Sequence, residues 1–205
     1  MIILKKHLNQ AEIIKSLTNK ELVFQLYLSQ AIIFIVAIIS GFFVIDSWFS
    51  LLRWDLTQLL LYGVLPAIAV VLIDILLMRF LPRKYYDDGG INERVFTSLS
   101  KVHIPLLVLF VAISEEMLFR GVIHTTFGFF IGSVTFALVH VRYLCKPVLF
   151  VSIMFMSFFI GYLYEITDNL LVTIVAHFFV DLILAYIIKF KWGEEIDIEE
   201  GKSVS

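Results

Sequence analysis

Between residues 22 and 190 the chain presents six apolar stretches of 15 to 24 residues: 22–45, 58–81, 103–122, 127–141, 148–164 and 170–190. At about 1.5 Å of rise per residue, roughly 20 apolar residues in a helix match a hydrocarbon core about 30 Å thick. Lipid offers no hydrogen bonds, so a spanning segment must satisfy its own backbone as a helix or within a closed barrel. Runs this long and this apolar, without strand-like alternation, leave the helix. The expectation is an all-α, polytopic transmembrane helical bundle of about six spans at 22–190, with no room for a separate soluble catalytic domain. A hydrophobic fraction of 60%, against about 45–50% in soluble domains, agrees.

The flanks differ in chemistry. Residues 1–21 place Leu4, Leu8, Ala11, Ile14 and Leu17 at helical spacing with lysines between them, the pattern of an amphipathic helix lying on the membrane surface. The run that follows is too long for a signal peptide and has no small-residue cleavage site. Residues 191–205 form an acidic tail, expected to be solvated or disordered. With the amino terminus inside, Lys and Arg split 14 inside to 2 outside, which predicts both termini in the cytoplasm. The lone Cys145 excludes an intramolecular disulfide. No basic, aromatic-interleaved surface points to a nucleic-acid partner, and the sequence sets no oligomeric state.

Ionisable groups inside such spans are costly, about 2.5–3.5 kcal/mol each at a helix centre, so their positions carry information. Span 103–122 holds Glu115, Glu116 and Arg120. Glu116 and Arg120 are four apart and can form a structural ion pair. Glu115 lies about 100° further round the helix and faces elsewhere, without a local cation. His140, with Phe136 one turn earlier, ends the fourth stretch; His177 and Asp181 sit one turn apart on the sixth. Counted along ideal helices, Glu115, His140, His177 and Asp181 all fall in the middle band of the membrane, where three helices can aim them at one point.

Several other polar residues have plainer readings. Gln25, Ser29 and Gln30 suit helix–helix hydrogen bonds. His103 and His124 suit packing, and Gly128 with Gly132 suits close helix contact. Asp74 reads as a carboxylate that snorkels or pairs with a neighbouring helix.

The ordered series Glu115-Glu116-x-x-x-Arg120, Phe136-x-x-x-His140 and His177-x-x-x-Asp181 resembles the three motifs of the CAAX protease and bacteriocin-processing (CPBP, or Abi) family of intramembrane proteases. The resemblance covers about residues 104–190. It implies an intramembrane endopeptidase in which Glu115 activates water with the help of His140, while His177 stabilises an oxyanion or binds a metal. It also implies a membrane-associated peptide substrate and a bacterial plasma-membrane location. Phe136 would pack beside the site. Asp181 stands where the family has Asn or Asp. An ionised Asp can only accept, so Asp181 must be protonated to donate, ligate a metal, or orient His177. Two imidazoles and a carboxylate also make a three-ligand site for Zn2+ or another divalent metal, the candidate ligands being Glu115, His140, His177 and Asp181. A metal-independent glutamate mechanism stands beside it. The alternative to an enzyme is a non-catalytic bacteriocin-immunity or scaffold protein of the same fold. A proton- or metal-coupled carrier is the third reading, disfavoured by the lack of an inverted repeat.

Overall fold

The computed structural model describes residues 16–82, 85–144 and 146–203, with side chains described to residue 191. Residues 1–15 of the amphipathic helix expected at 1–21 therefore lie outside the described residues, as does Cys145.

The described chain is helical throughout. Helix α1, Asn19–Val44, begins at Thr18, whose side chain and Glu21 form a reciprocal capping box, satisfying two backbone donors that a helix start leaves free. A short turn, Trp48–Leu51, leads to α2, Leu56–Phe80, which contains a π-helical stretch at Leu59–Val64. Next comes α3, Ile91–Ser98. Helix α4 has an α-helical part, His103–Glu116, a π-helical turn, Met117–His124, and a last turn, Thr125–Phe127. Then follow α5, Phe129–Val139, α6, Pro147–Thr167, and α7, Leu170–Ser203. The backbone of α7 stays helical through the acidic tail.

Among the described residues four helices are long and apolar enough to cross a membrane: α1, α2, α6 and α7 up to Lys191. The protein is an integral membrane protein. The other two expected spans differ in kind. Helix α4 has the length, but its middle carries Glu115, Glu116 and Arg120. Helix α5 has 11 residues and rises about 16 Å, roughly half a hydrocarbon core.

Helix α7 is the central post, packed against α2, α3, α4 and α6. Helix α1 covers α4 and α3, while α5 lies between α4 and α6. Outward faces are apolar: Phe42, Phe43, Leu76 and Phe130 are all exposed, as lipid-facing side chains should be. Close approach is set by small residues. A Cβ on Gly132 would stand 2.8 Å from the His124 Cβ, and one on Gly121 would stand 2.7 Å from the Trp48 ring. Trp48 thus closes one end of the bundle between α1 and α4. Gly128, expected to share a packing face with Gly132, has φ 89° and open space around it. It breaks the chain between α4 and α5, a conformation that suits a residue without a Cβ.

Candidate active site

Glu115 and Glu116 are the last α-helical residues of α4, immediately before the π-helical turn. Being about 100° apart, they meet different neighbours. Glu116 is fully buried. Its Oε1 accepts from Arg120 Nη1 at 3.0 Å and from His177 Nδ1 at 2.8 Å. Arg120, equally buried, donates through Nη2 to the carbonyl of Ser157 at 2.9 Å and to its hydroxyl at 3.2 Å. Its guanidinium lies 4.5 Å from the centre of the Phe136 ring. The pair therefore ties α4 to α5, α6 and α7. Such π-turns recur at functional sites; here the Arg120 carbonyl takes a hydrogen bond from Thr125 Oγ1 at 3.0 Å.

Glu115 points into the space between α1, α5 and α7. Its Oε1 accepts from Gln30 Nε2 at 2.9 Å. Its Oε2 lies 4.0 Å from His140 Nε2 and 4.0 Å from His177 Nε2. His177 Nε2 is also 3.4 Å from Asp181 Oδ2. The other ring nitrogens are committed. His140 Nδ1 is 2.8 Å from the Phe136 carbonyl, an acceptor, so that nitrogen carries the proton. His177 Nδ1 faces the Glu116 carboxylate in the same way. Both Nε2 atoms are thereby aimed at Glu115. The Phe136 ring fixes the two imidazoles, its centre 4.9 Å from His140 and 5.9 Å from His177.

The structure thus brings Glu115, His140, His177 and Asp181 together, with Glu116, Arg120 and Phe136 directly behind them. Exposure says where the site opens. Side-chain exposure is 8% for Glu115 and 7% for His177, but 21% for His140 and 36% for Asp181. The site is thus most open at His140, beside the turn that ends α5, and at Asp181 on α7.

Two features extend the plainer sequence readings. Gln30 makes the helix–helix hydrogen bond expected of it, but its acceptor is the site carboxylate Glu115. Glu116 does more than pair with Arg120, since it also holds His177. Two histidines stand apart from the site: His103 pairs with Tyr27 at 2.7 Å, and His124 with Glu165 at 2.7 Å. Asp74 lies within electrostatic reach of Asp181.

Histidines that bind metals usually donate their second nitrogen to a carboxylate or carbonyl, and both do so here. The spacing is another matter. Ligands on a tetrahedral zinc ion lie about 3.4 Å apart, given metal–ligand distances near 2.1 Å. Here the carboxylate oxygen is 4.0 Å from each nitrogen. Among the described residues no set of three His, Cys, Asp or Glu side chains is close enough to hold a metal as it stands. A water, with contacts of about 2.8 Å, would bridge 4.0 Å at close to a right angle.

The model of the type II CAAX prenyl endopeptidase Rce1-like family matches residues 97–183. That stretch contains every residue of the cluster except Gln30. Over 185 residues the chain is also 39% identical to the uncharacterized protein YpbD of Bacillus subtilis (strain 168), a match that takes in 86% of this chain and 98% of that protein. The chain belongs to the Rce1-like family of CAAX proteases. No solved structure matches it. For an Rce1-like protein, the ionisable cluster buried among apolar helices is where peptidase chemistry would reside. Gln30 lies outside the stretch matched by the family model, on the first helix.

Proposed function

We propose that the protein is an intramembrane endopeptidase that hydrolyses a peptide bond of a membrane-associated peptide or protein, with Glu115 as general base. The observation that carries this reading is the convergence of Glu115 Oε2 with the Nε2 atoms of His140 and His177 at 4.0 Å each. A water held among the three loses a proton to Glu115 Oε2 and attacks the substrate carbonyl. Gln30 fixes the opposite carboxylate oxygen, so the basic oxygen is set for attack rather than free to rotate. A protonated His177 Nε2 donates to the oxyanion. Asp181, one turn away, orients that imidazole through its 3.4 Å contact. Glu115 then returns the proton to the leaving amine. Water is confined to a pocket in which electrostatic contacts act at low dielectric. The donor spacing favours water over a tetrahedral metal, and the proposed mechanism is of the glutamate type. If Zn2+ or another divalent ion were bound, Glu115, His140, His177 and Asp181 would hold it, and it would polarise the water.

Cleavage of a membrane-associated peptide by purified protein in vesicles tests this. Glu115→Gln, His140→Ala and His177→Ala should each lower the rate at least ~100-fold while the protein still inserts. Removal of metal by a strong chelator should leave the wild-type rate unchanged. Normal processing by Glu115→Gln would end the proposal. Loss of activity on chelation, restored by zinc, would replace its glutamate mechanism with a metal-dependent one.

A further inference from the structure

Beside the opening of the site stands a guanidinium that the hydrolytic mechanism does not use. Arg142 follows His140 by two residues, in the turn Val141–Tyr143 that ends α5. It is held from one side only. Its Nη2 donates to the Asn92 side-chain oxygen at 3.2 Å and to the Tyr143 hydroxyl at 2.6 Å. The Asp88 carboxylate lies further off, at 3.9 Å, and already accepts from the backbone of Ile91 and Asn92 as the cap of α3. The guanidinium also stacks over the Tyr143 ring at 4.7 Å. Tyr143 in turn stacks on the His140 imidazole, with ring centres 5.9 Å apart and planes 16° from parallel. Arg142 lies within electrostatic reach of Glu115. Among the described residues its Nε and Nη1 make no hydrogen bond, and 39% of the side chain is exposed.

An arginine fixed through one nitrogen, with the others free, presents the planar fork that takes a carboxylate in two parallel hydrogen bonds. Loose surface arginines do not present it, because ordering a long side chain costs entropy. Here α3 and the Tyr143 ring supply that order in advance.

We propose that Arg142 is a specificity-determining residue that binds a carboxylate of the peptide substrate. The inference rests on the endopeptidase reading, in which His140 marks the reacting centre. Both that imidazole and the guanidinium stack on the Tyr143 ring, at 5.9 and 4.7 Å from its centre, so at most about three extended residues at ~3.3 Å each span the distance between them. The carboxylate therefore lies within about three residues of the bond cleaved. It is either the substrate's own carboxyl terminus or an acidic side chain at that distance.

Binding to the inactive Glu115→Gln protein in neutral-lipid nanodiscs tests the subsite without requiring turnover. Labelled peptides would be compared in two pairs: free against amidated carboxyl terminus, and Glu against Gln within three residues of the cleavage position. The pair that carries the recognised group should show about ten- to a hundredfold preference for the carboxylate form. Adding Arg142→Gln should bring that ratio close to one, and Arg142→Lys, which keeps the charge without the fork, should leave an intermediate ratio. A preference that survives both substitutions overturns the assignment. So does equal binding of both members of both pairs. Failure of the peptidase reading would appear separately, as an inactive wild type that still discriminates in binding.

Discussion

The residues of the site divide by what each buried charge leans on. Glu116 and Arg120 are fully buried and pair with each other, and removing one member strands the other. Glu116→Gln or Arg120→Gln should therefore cost about 3–5 kcal/mol, seen as a lower midpoint of thermal unfolding in detergent and poor expression. The paired replacement Glu116→Leu with Arg120→Met strands no charge and should recover much of that stability. It should remain inactive, because His177 Nδ1 loses the carboxylate that fixes its ring. An active double variant would show that His177 needs no such anchor. Gln30 offers the complementary case. Gln30→Leu leaves packing intact but removes a hydrogen bond to a charged oxygen, typically worth about 1.5–3 kcal/mol. It should reduce kcat about tenfold or more with little change in KM, because the lost contact serves the base rather than substrate binding.

At the level of helices, lipid made the sequence readable and water made it less so. The long spans were legible because a bilayer demands nearly unbroken apolar runs: α1, α2, α6 and the apolar part of α7, Leu170–Lys191, begin and end within a few residues of the expected limits. Helix α3 was not. Asp87-Asp88-Gly89-Gly90 reads as a turn, yet Asp88 also caps a short helix by accepting from the backbone of Ile91 and Asn92. A local signal serves both roles equally well. The π-helical turn at Met117–His124 leaves no mark in composition, since it differs from α-helix by about one residue of phase. The four motif residues could be placed together because each is expensive in lipid. For Gln30 the helix–helix hydrogen bond was legible but the place of that bond was not, because a neutral amide costs little there and only its partner on α4 ties it to the site. The α4–α5 contact carries a test of its own. Gly132 faces His124, with the His124 Cα 3.0 Å and the Phe119 carbonyl 3.2 Å from where a Cβ would stand. Gly132→Val should push α5 off α4, costing about 1–3 kcal/mol by overpacking, and should move His140 away from Glu115. Unfolding midpoints and cleavage rates should fall together; a stable, fully active variant would show that α5 can shift without disturbing the site.

For the molecule as a whole, the question is which side the pocket serves. One end of the bundle gathers the start of α1, all of α3, the turn carrying Arg142, and Lys189 of α7. Arg94 bonds to Asn19 and the Leu17 carbonyl, and Lys189 to the carbonyls of Thr97 and Leu99. The other end is closed by Trp48 and by Arg53, whose guanidinium holds Asp168 and the Thr167 carbonyl. Cations concentrate at the first end, and membrane insertion retains such segments in the cytoplasm. His140 and Asp181, the more exposed members of the site, open towards that same end. The physical expectation is that substrate and water arrive from the cytoplasmic face. Single cysteines in a Cys145→Ser background decide it: Ser98→Cys at the end of α3 and Ser50→Cys beside Trp48 are both at exposed positions. In intact cells an impermeant thiol reagent should label the second and spare the first until the membrane is opened. The reverse pattern would turn the bundle over and place the pocket's mouth outside the cell.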